Sequence, residues 1–306
     1  MLNLMYKFAT PWAIANKVQV QKNRILGRIA NYIYPAYCSL VPIKERRNDN
    51  CGNVIVSLTS FPARIDKVYL CINSILRQNR QADKIILWLA DSQFPNKSAL
   101  PRKLLDLEKK GLEIRFCEDL KSYKKVFFTA QEYPDSIIIT ADDDTLYPEN
   151  WIEDLYSIHR EFPPCVCCYR AHKMTLKDSG VAPYEDWICM SPGEKGPSIL
   201  LLPVGVGGVL YPPEYFKGID FEIEAIKKVC PTADDLWLKV VGFKKNISVV
   251  KVFPYSKEWF TLKGSQKKAL FSINTKGQNL NDVAMHNLVD YYHININAII
   301  SDEENK

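Results

Sequence analysis

From residue 53 onward the apolar positions switch between two periods. VIVSLTSF (54–61) is a short run with little polar interruption and reads as a strand, and Pro62 opens the loop behind it. Ile65, Val68, Cys71, Ile72, Ile75 and Leu76 then recur at helical spacing up to Arg77. KIILWLA (84–90) predicts a second strand ending at Asp91, and LPRKLLDLEKKG predicts a helix stopped by Gly111. LEIRFCE (112–118) is a third strand, SYKKVFFTAQEYP a helix ended by Pro134, and SIIITA (136–141) a fourth strand. Strands that are apolar on both faces and alternate with helices predict an α/β fold with a mostly parallel sheet sandwiched by helices. In such sheets ligands gather beyond the carboxyl ends of the strands. The loops after Ser60, Ala90, Glu118 and Ala141 are therefore expected to share one rim.

The rhythm loosens past Asp144. Pro148 suits the first turn of a helix through Trp151, Leu155 and Ile158, and CVCCYRA (165–171) predicts another strand. A long polar stretch with Gly180, Pro183, Pro192, Gly193, Gly196 and Pro197 reads as a mobile or substrate-covering loop. GVGGVLYPPEYF (205–216) holds a glycine-rich turn that lets backbone approach a ligand, and PTADDLWLKVVG (231–242) starts a helix with Asp234 and Asp235. Ahead of the regular region, Val18, Ile25, Leu26, Ile29 and Ile33 recur at helical spacing, while Lys22, Arg24 and Arg28 fall elsewhere on the wheel. Two readings stand for this helix: one packed on the main domain, or a basic amphipathic helix lying on an anionic membrane surface. No apolar run reaches the roughly 18 residues of a membrane span. Pro11 breaks the short apolar block before it, which argues against a cleaved signal peptide.

Composition sharpens this division. The 47% apolar residues can fill a sizeable core. Residues 1–47 carry eight Lys or Arg against Glu45 alone, while the whole chain is only +5, so the remainder is slightly acidic. The basic character belongs to the N-terminal arm, which argues against a general nucleic-acid surface. Nine cysteines, several inside apolar runs, suit buried thiols in a cytoplasmic protein, and Cys165–Cys168 has no second pair at zinc spacing. The expected division is an arm over 1–50, a catalytic domain over 51–255 with halves meeting near 147/148, and an extension over 256–306.

The chemistry concentrates where the fourth strand runs into Asp142, Asp143 and Asp144. Adjacent carboxylates repel, so this end is either a solvated acidic turn capping the next helix or the seat of a cation. Alternation along an extended segment sends Asp142 and Asp144 one way and Asp143 another. Two carboxylates plus the phosphates of a substrate suit Mg²⁺ or Mn²⁺. Lys124 and Lys125 either meet phosphates from the third-strand rim or form a solvated helix start. Asp234 and Asp235 read either as helix-capping acids or as a catalytic pair.

Strand 54–60, strand 84–90 closing on Asp91, strand 136–141 running into Asp142-Asp143-Asp144, and the later Asp234-Asp235 resemble family 2-like glycosyltransferases of the GT-A fold, over roughly residues 53 to 250. The resemblance implies a GT-A-like, Rossmann-related sheet and transfer of a sugar from a UDP- or GDP-sugar to a glycan or lipid-linked acceptor, in surface-polysaccharide assembly. It implies a metal held by Asp142 and Asp144 and a nucleotide contacted by Asp91, with Asp143 beside the donor. Thr59, Ser60 and Arg64 would line the nucleotide pocket, and Asp235 would be the base of an inverting displacement, with Asp234 its rival. Gly207 and Gly208 would shape the sugar pocket, Trp237 would offer a stacking face or a buried helix tryptophan, and His286 would complete the metal shell or sit half-buried in its helix. Two departures are visible: LTSFPARI after the first strand, where relatives carry a proline-valine-tyrosine-asparagine run, and Asp-Asp in place of Glu-Asp. A retaining transferase, a nucleotidyltransferase or a non-catalytic sugar- or membrane-binding module are the alternatives; FPARIDKV lacks the glycines of a nucleotidyltransferase phosphate loop.

Overall fold

The computed structural model of the 306-residue chain describes residues 1–11, 14–44, 53–177, 180–265, 280–296 and 298–299. Two helices, α1 (Leu2–Lys7) and α2 (Lys17–Leu40), lead into β1 (Val54–Thr59), α3 (Ile65–Leu76), β2 (Lys84–Ala90), α4 (Arg102–Leu105), β3 (Leu112–Cys117), α5 (Lys124–Glu132) and β4 (Ile137–Ala141). The second half continues with β5 (Thr145–Leu146), α6 (Trp151–Glu161), β6 (Val166–Cys168), β7 (Ala171–Lys173), β8 (Leu176–Lys177), β9 (Gly180–Val181), β10 (Leu201–Pro203) and β11 (Val209–Tyr211). It closes with α7 (Pro213–Phe216), α8 (Ile223–Val229), α9 (Asp234–Lys245), β12 (Val249–Lys251), β13 (Phe260–Thr261) and α10 (Leu280–Tyr291).

Seven strands form one sheet in the order β12-β6-β11-β4-β1-β2-β3. β11 runs antiparallel to β4 and β6, and the other pairs are parallel. The chain is thus α/β, with a mostly parallel sheet flanked by helices and compatible with a Rossmann-like fold. Its two faces follow from side-chain alternation. Val54, Val56 and Leu58 of β1 join a core with α3 and α6, whereas Ile55 joins Trp88 and the edge of α5 on the other face. Every one of these β1 side chains is essentially inaccessible to water, as a continuous apolar run requires.

Three expectations need correction. The segment 100–111 does not make one helix: Pro101 leads into the single turn of α4, and a 3₁₀ turn follows before Gly111 takes φ +103°. The strand expected over 165–171 divides into β6 and β7, and the polar stretch behind it, read as a loop, carries short paired strands among its described residues. There β8 pairs with β9, and β10 pairs antiparallel with β7. Two buried lysines hold this region from below: Lys251 donates to the Ser191 carbonyl at 2.6 Å, and Lys239 donates to those of Ile199 and Leu201. Sequence patterning misses such contacts because a lysine reads as a surface residue.

The third correction concerns the arm. It packs on the domain, as one of its two readings has it, but not through the apolar stripe marked in the sequence. The Glu149 carboxylate accepts the Leu2 and Asn3 amides at 3.0 and 2.6 Å, capping α1, and the Tyr6 hydroxyl donates to the Leu146 carbonyl at 2.5 Å. An Asn16–Gln19 capping box starts α2. Yet α2 packs through Asn23, Ala30 and Tyr34, while Val18, Ile25, Ile29 and Ile33 face outward. Helical period identifies an apolar stripe but not its partner.

Candidate functional site

Register decides which residues meet at the rim. Leu58 pairs with Ala141, so β1 and β4 end together and deliver Ser60, Arg64 and Asp142–Asp144 to one corner. Asp143 is locked there: Ser60 Oγ donates to Oδ2 and Arg64 Nη1 to Oδ1, both at 2.6 Å. Arg64 Nη2 lies 3.2 Å from Asp144 Oδ2, and the same guanidinium donates to the Ser265 carbonyl at 3.0 Å. Asp143 and Asp144 are buried; Asp142 keeps 22% side-chain exposure and is the accessible member of the run.

A second layer arrives from α5, α9 and the glycine turn. Lys125 Nζ sits 3.1 Å from Asp142 Oδ1 and 3.5 Å from Asp234 Oδ2. Gly205 donates its amide to Asp235 Oδ2 at 3.3 Å. A Cβ on Gly205 would lie 3.2 Å from Lys125 Nζ, 3.5 Å from Asp235 Oδ1 and 3.6 Å from Asp142 Oδ1. Glycine is thus used here for close approach: backbone, ammonium and two carboxylates converge on one point.

The electrostatics are unfinished. Five carboxylates, Asp142–Asp144, Asp234 and Asp235, share the cations of Arg64 and Lys125. Burial, reinforced by the Asp142 charge and opposed by Arg64, pushes Asp144 up to about 6. Burial and then the Asp234 charge, opposed by Lys125, push Asp235 up to about 7. Asp234 Oδ2 is buried with no hydrogen-bond donor. The acidic run is therefore partly compensated, which corrects the expectation of three bare acids, but a surplus of negative charge remains. Asp142 and Asp144 are the carboxylates of this run that could hold a divalent cation, although Asp144 does not turn away from Asp143 as strand alternation suggests: both pair with Arg64, and Asp142 alone turns to Lys125. Among the described residues no three His, Cys, Asp or Glu side chains form a ready-made metal cage, so a bound diphosphate would have to supply further oxygens.

Several residues named from sequence stand apart from this acidic corner. Asp91 ends β2 on the same rim, exposed, accepting the Ser92 amide at 2.6 Å. It lies two strands from β4, on the order of 10 Å away at ordinary strand spacing. Thr59 donates to the Trp88 carbonyl within the sheet, and Lys124 is buried against Asp119 at 2.5 Å; its neighbour Lys125 is the one that reaches the acids. Gly207 and Gly208 take φ +134° and +96°, and a Cβ on Gly208 would fall 2.3 Å from the Trp151 ring. They make the turn against aromatic packing, and Gly205 faces the acids. Trp237 is buried beside Tyr123 and Phe221, donating to the Tyr292 hydroxyl at 3.1 Å, so its face is closed to a sugar. His286 is not half-buried: it is 78% exposed and pairs with Asp290 one turn on, leaving it outside the acidic cluster.

Sequence reasoning also missed the segment 257–265. The Leu262 amide donates to the Asp144 carbonyl at 2.7 Å, and Trp259 and Trp151 Nε1 both donate to the Gly207 carbonyl. This segment fastens the acidic loop and the glycine turn from above. Its only signal was an apolar WFTL inside a polar C-terminal stretch. Comparison with protein-family models and with curated proteins gives no match.

Proposed function

We propose that this protein is a metal-dependent glycosyltransferase of GT-A type that moves a sugar from a nucleotide-diphosphate sugar to an acceptor hydroxyl with inversion. The observation that carries the reading is the meeting of Asp142 and Asp235 around Gly205. Together they offer an accessible carboxylate beside a second carboxylate held near neutrality.

A base works best when its proton affinity sits near the working pH. Asp235 fits that need, and its hydrogen bond from the Gly205 amide fixes one oxygen while leaving the other for an acceptor hydroxyl. Lys125 holds Asp142 and Asp234 in place and offers an ammonium to a leaving diphosphate. Arg64 immobilises Asp143 and Asp144, so the loop presents its carboxylates without reorganising. Asp142 and Asp144 would hold a divalent ion, which when bound would supply Lewis-acid charge to the diphosphate. Asp91, on the same rim, is available to the nucleoside.

The test is thermal stabilisation by a panel of UDP- and GDP-sugars, with Mn²⁺, Mg²⁺ or chelator. A productive donor at a hundredfold excess over its Kd stabilises by about 2.7 kcal/mol. That gain is expected with metal, not with chelator, and is expected to vanish in Asp144→Ala. A gain indifferent to both metal and Asp144→Ala would remove the metal assignment. Binding without any sugar transfer would favour a non-catalytic module.

A further inference from the structure

Among the described residues, most of the large apolar side chains that stand in solvent belong to the span 1–41. Along α2, Val18 is 78% exposed, Ile25 54%, Tyr32 86% and Leu40 81%, with Ile29 and Ile33 between them. On a helical wheel these six occupy an arc of roughly 100°, a stripe about 33 Å long. The arc that packs on the domain, around Ala30 and Tyr34, lies on another side. Leu4, Phe8 and Ile14 add exposed apolar surface on the same arm. An unpartnered stripe this long is an interaction surface.

Charge selects the occupant. Lys22 stands within the stripe and Lys17, Arg24 and Arg28 flank it, and residues 1–44 contain no acid. A second copy of α2 would bring cations against cations. An acidic lipid surface offers both what the stripe lacks and what its flank attracts. A second feature agrees. A groove of about 990 Å³ runs between α2 and the core, away from Asp142–Asp144, and Arg24, Arg28, Lys67, Lys103, Lys257 and Lys263 line it against only two acids, Asp66 and Glu258. Arg24 and Arg28 belong both to this lining and to the flank of the stripe, so cations continue from one to the other.

We propose that α1 and α2 seat this protein in the plane of an acidic phospholipid bilayer, with the α2 stripe in the acyl boundary and the basic groove against headgroup phosphates. The two faces of α2 then divide the labour: one holds the domain, the other the membrane. This goes beyond the catalytic reading and does not depend on it.

The experiment is co-sedimentation of the full chain with phosphatidylcholine vesicles, with and without phosphatidylglycerol, in the absence of donor and metal. Binding is expected only to the acidic vesicles and is expected to weaken with salt. Ile25→Asp with Ile29→Asp should reduce it by about a hundredfold, since each side chain withdrawn from the acyl boundary costs about a factor of ten. Should that variant misfold by circular dichroism, Arg24→Gln with Arg28→Gln, at two exposed positions, serves instead and should also weaken binding. Absence of binding by the parent chain, or equal binding by folded variants, overturns the proposal. So does a parent chain that elutes as a dimer and becomes monomeric on Ile25→Asp with Ile29→Asp, which would make the stripe a self-association surface.

Discussion

The rim above β1 and β4 and the outer face of α2 are incomplete in opposite ways. At the rim, charges are taken out of water and given too few counter-charges: Asp234 Oδ2 has no hydrogen bond and shares Lys125 with Asp142, and Asp144 and Asp235 hold protons too tightly. Along α2, apolar side chains remain in water although the same helix buries Ala30 and Tyr34 successfully. Both arrangements cost folding free energy. On the two proposals above, a cation and its phosphate ligand would relieve the first cost, and an apolar phase with an anionic edge the second. Where a stable fold leaves such terms unrelieved, the missing partner can be read from the sign of what is left over.

The sharpest way to break this comparison is to remove one member of the rim and ask whether the arm notices. Asp235→Asn is expected to lower sugar transfer by about 10²- to 10⁴-fold while donor-dependent stabilisation and vesicle binding persist. Loss of donor binding would instead make Asp235 a structural residue.

The next effect separates two kinds of glycine. Gly208→Ala puts a methyl into the Trp151 ring at a positive φ and should cost about 3 kcal/mol or more in urea unfolding. Gly205→Ala meets only the ends of Lys125, Asp235 and Asp142. It should leave stability within about 1 kcal/mol and lower transfer by about tenfold, because it displaces the reacting groups. Equal destabilisation by both would return Gly205 to a purely structural part.

The smallest effect is on pH. Folded Asp144 and Asp235 titrate near 6 and 7, well above the roughly 3.9 of an unfolded aspartate. Their stabilising contribution is complete below about pH 4 and is lost as pH rises through 6 and 7. Chelator-treated protein should therefore lose on the order of 4 kcal/mol from these groups between pH 5 and 8. Asp235→Asn should shrink that loss, and transfer by the parent chain should rise over the same range. A stability that climbs with pH equally in parent and variant would contradict the shortage of counter-charge.

Much of the first half is legible in the pattern of residues. β2 runs over the positions its apolar pattern marks, 84–90, because a strand buried on both faces has to be apolar throughout. The Asp142–Asp144 run stands out for the same reason, since carboxylates directly after such a strand are costly. The 172–204 stretch is opaque because what orders it, Lys239 and Lys251 from distant elements, carries no local signature. The choice of Lys125 over Lys124 depends on the phase of α5 against the rim.

By itself, then, the sequence determined the alternation of strand and helix, the acidic strand end and the basic, apolar arm, all of which are matters of local period and charge. Tertiary structure alone decided which arc of α2 stays in water, and which lysine, glycine and aspartates share one corner. Those depend on register and on the angle at which elements meet, and the energies that set them come from residues far apart in the chain.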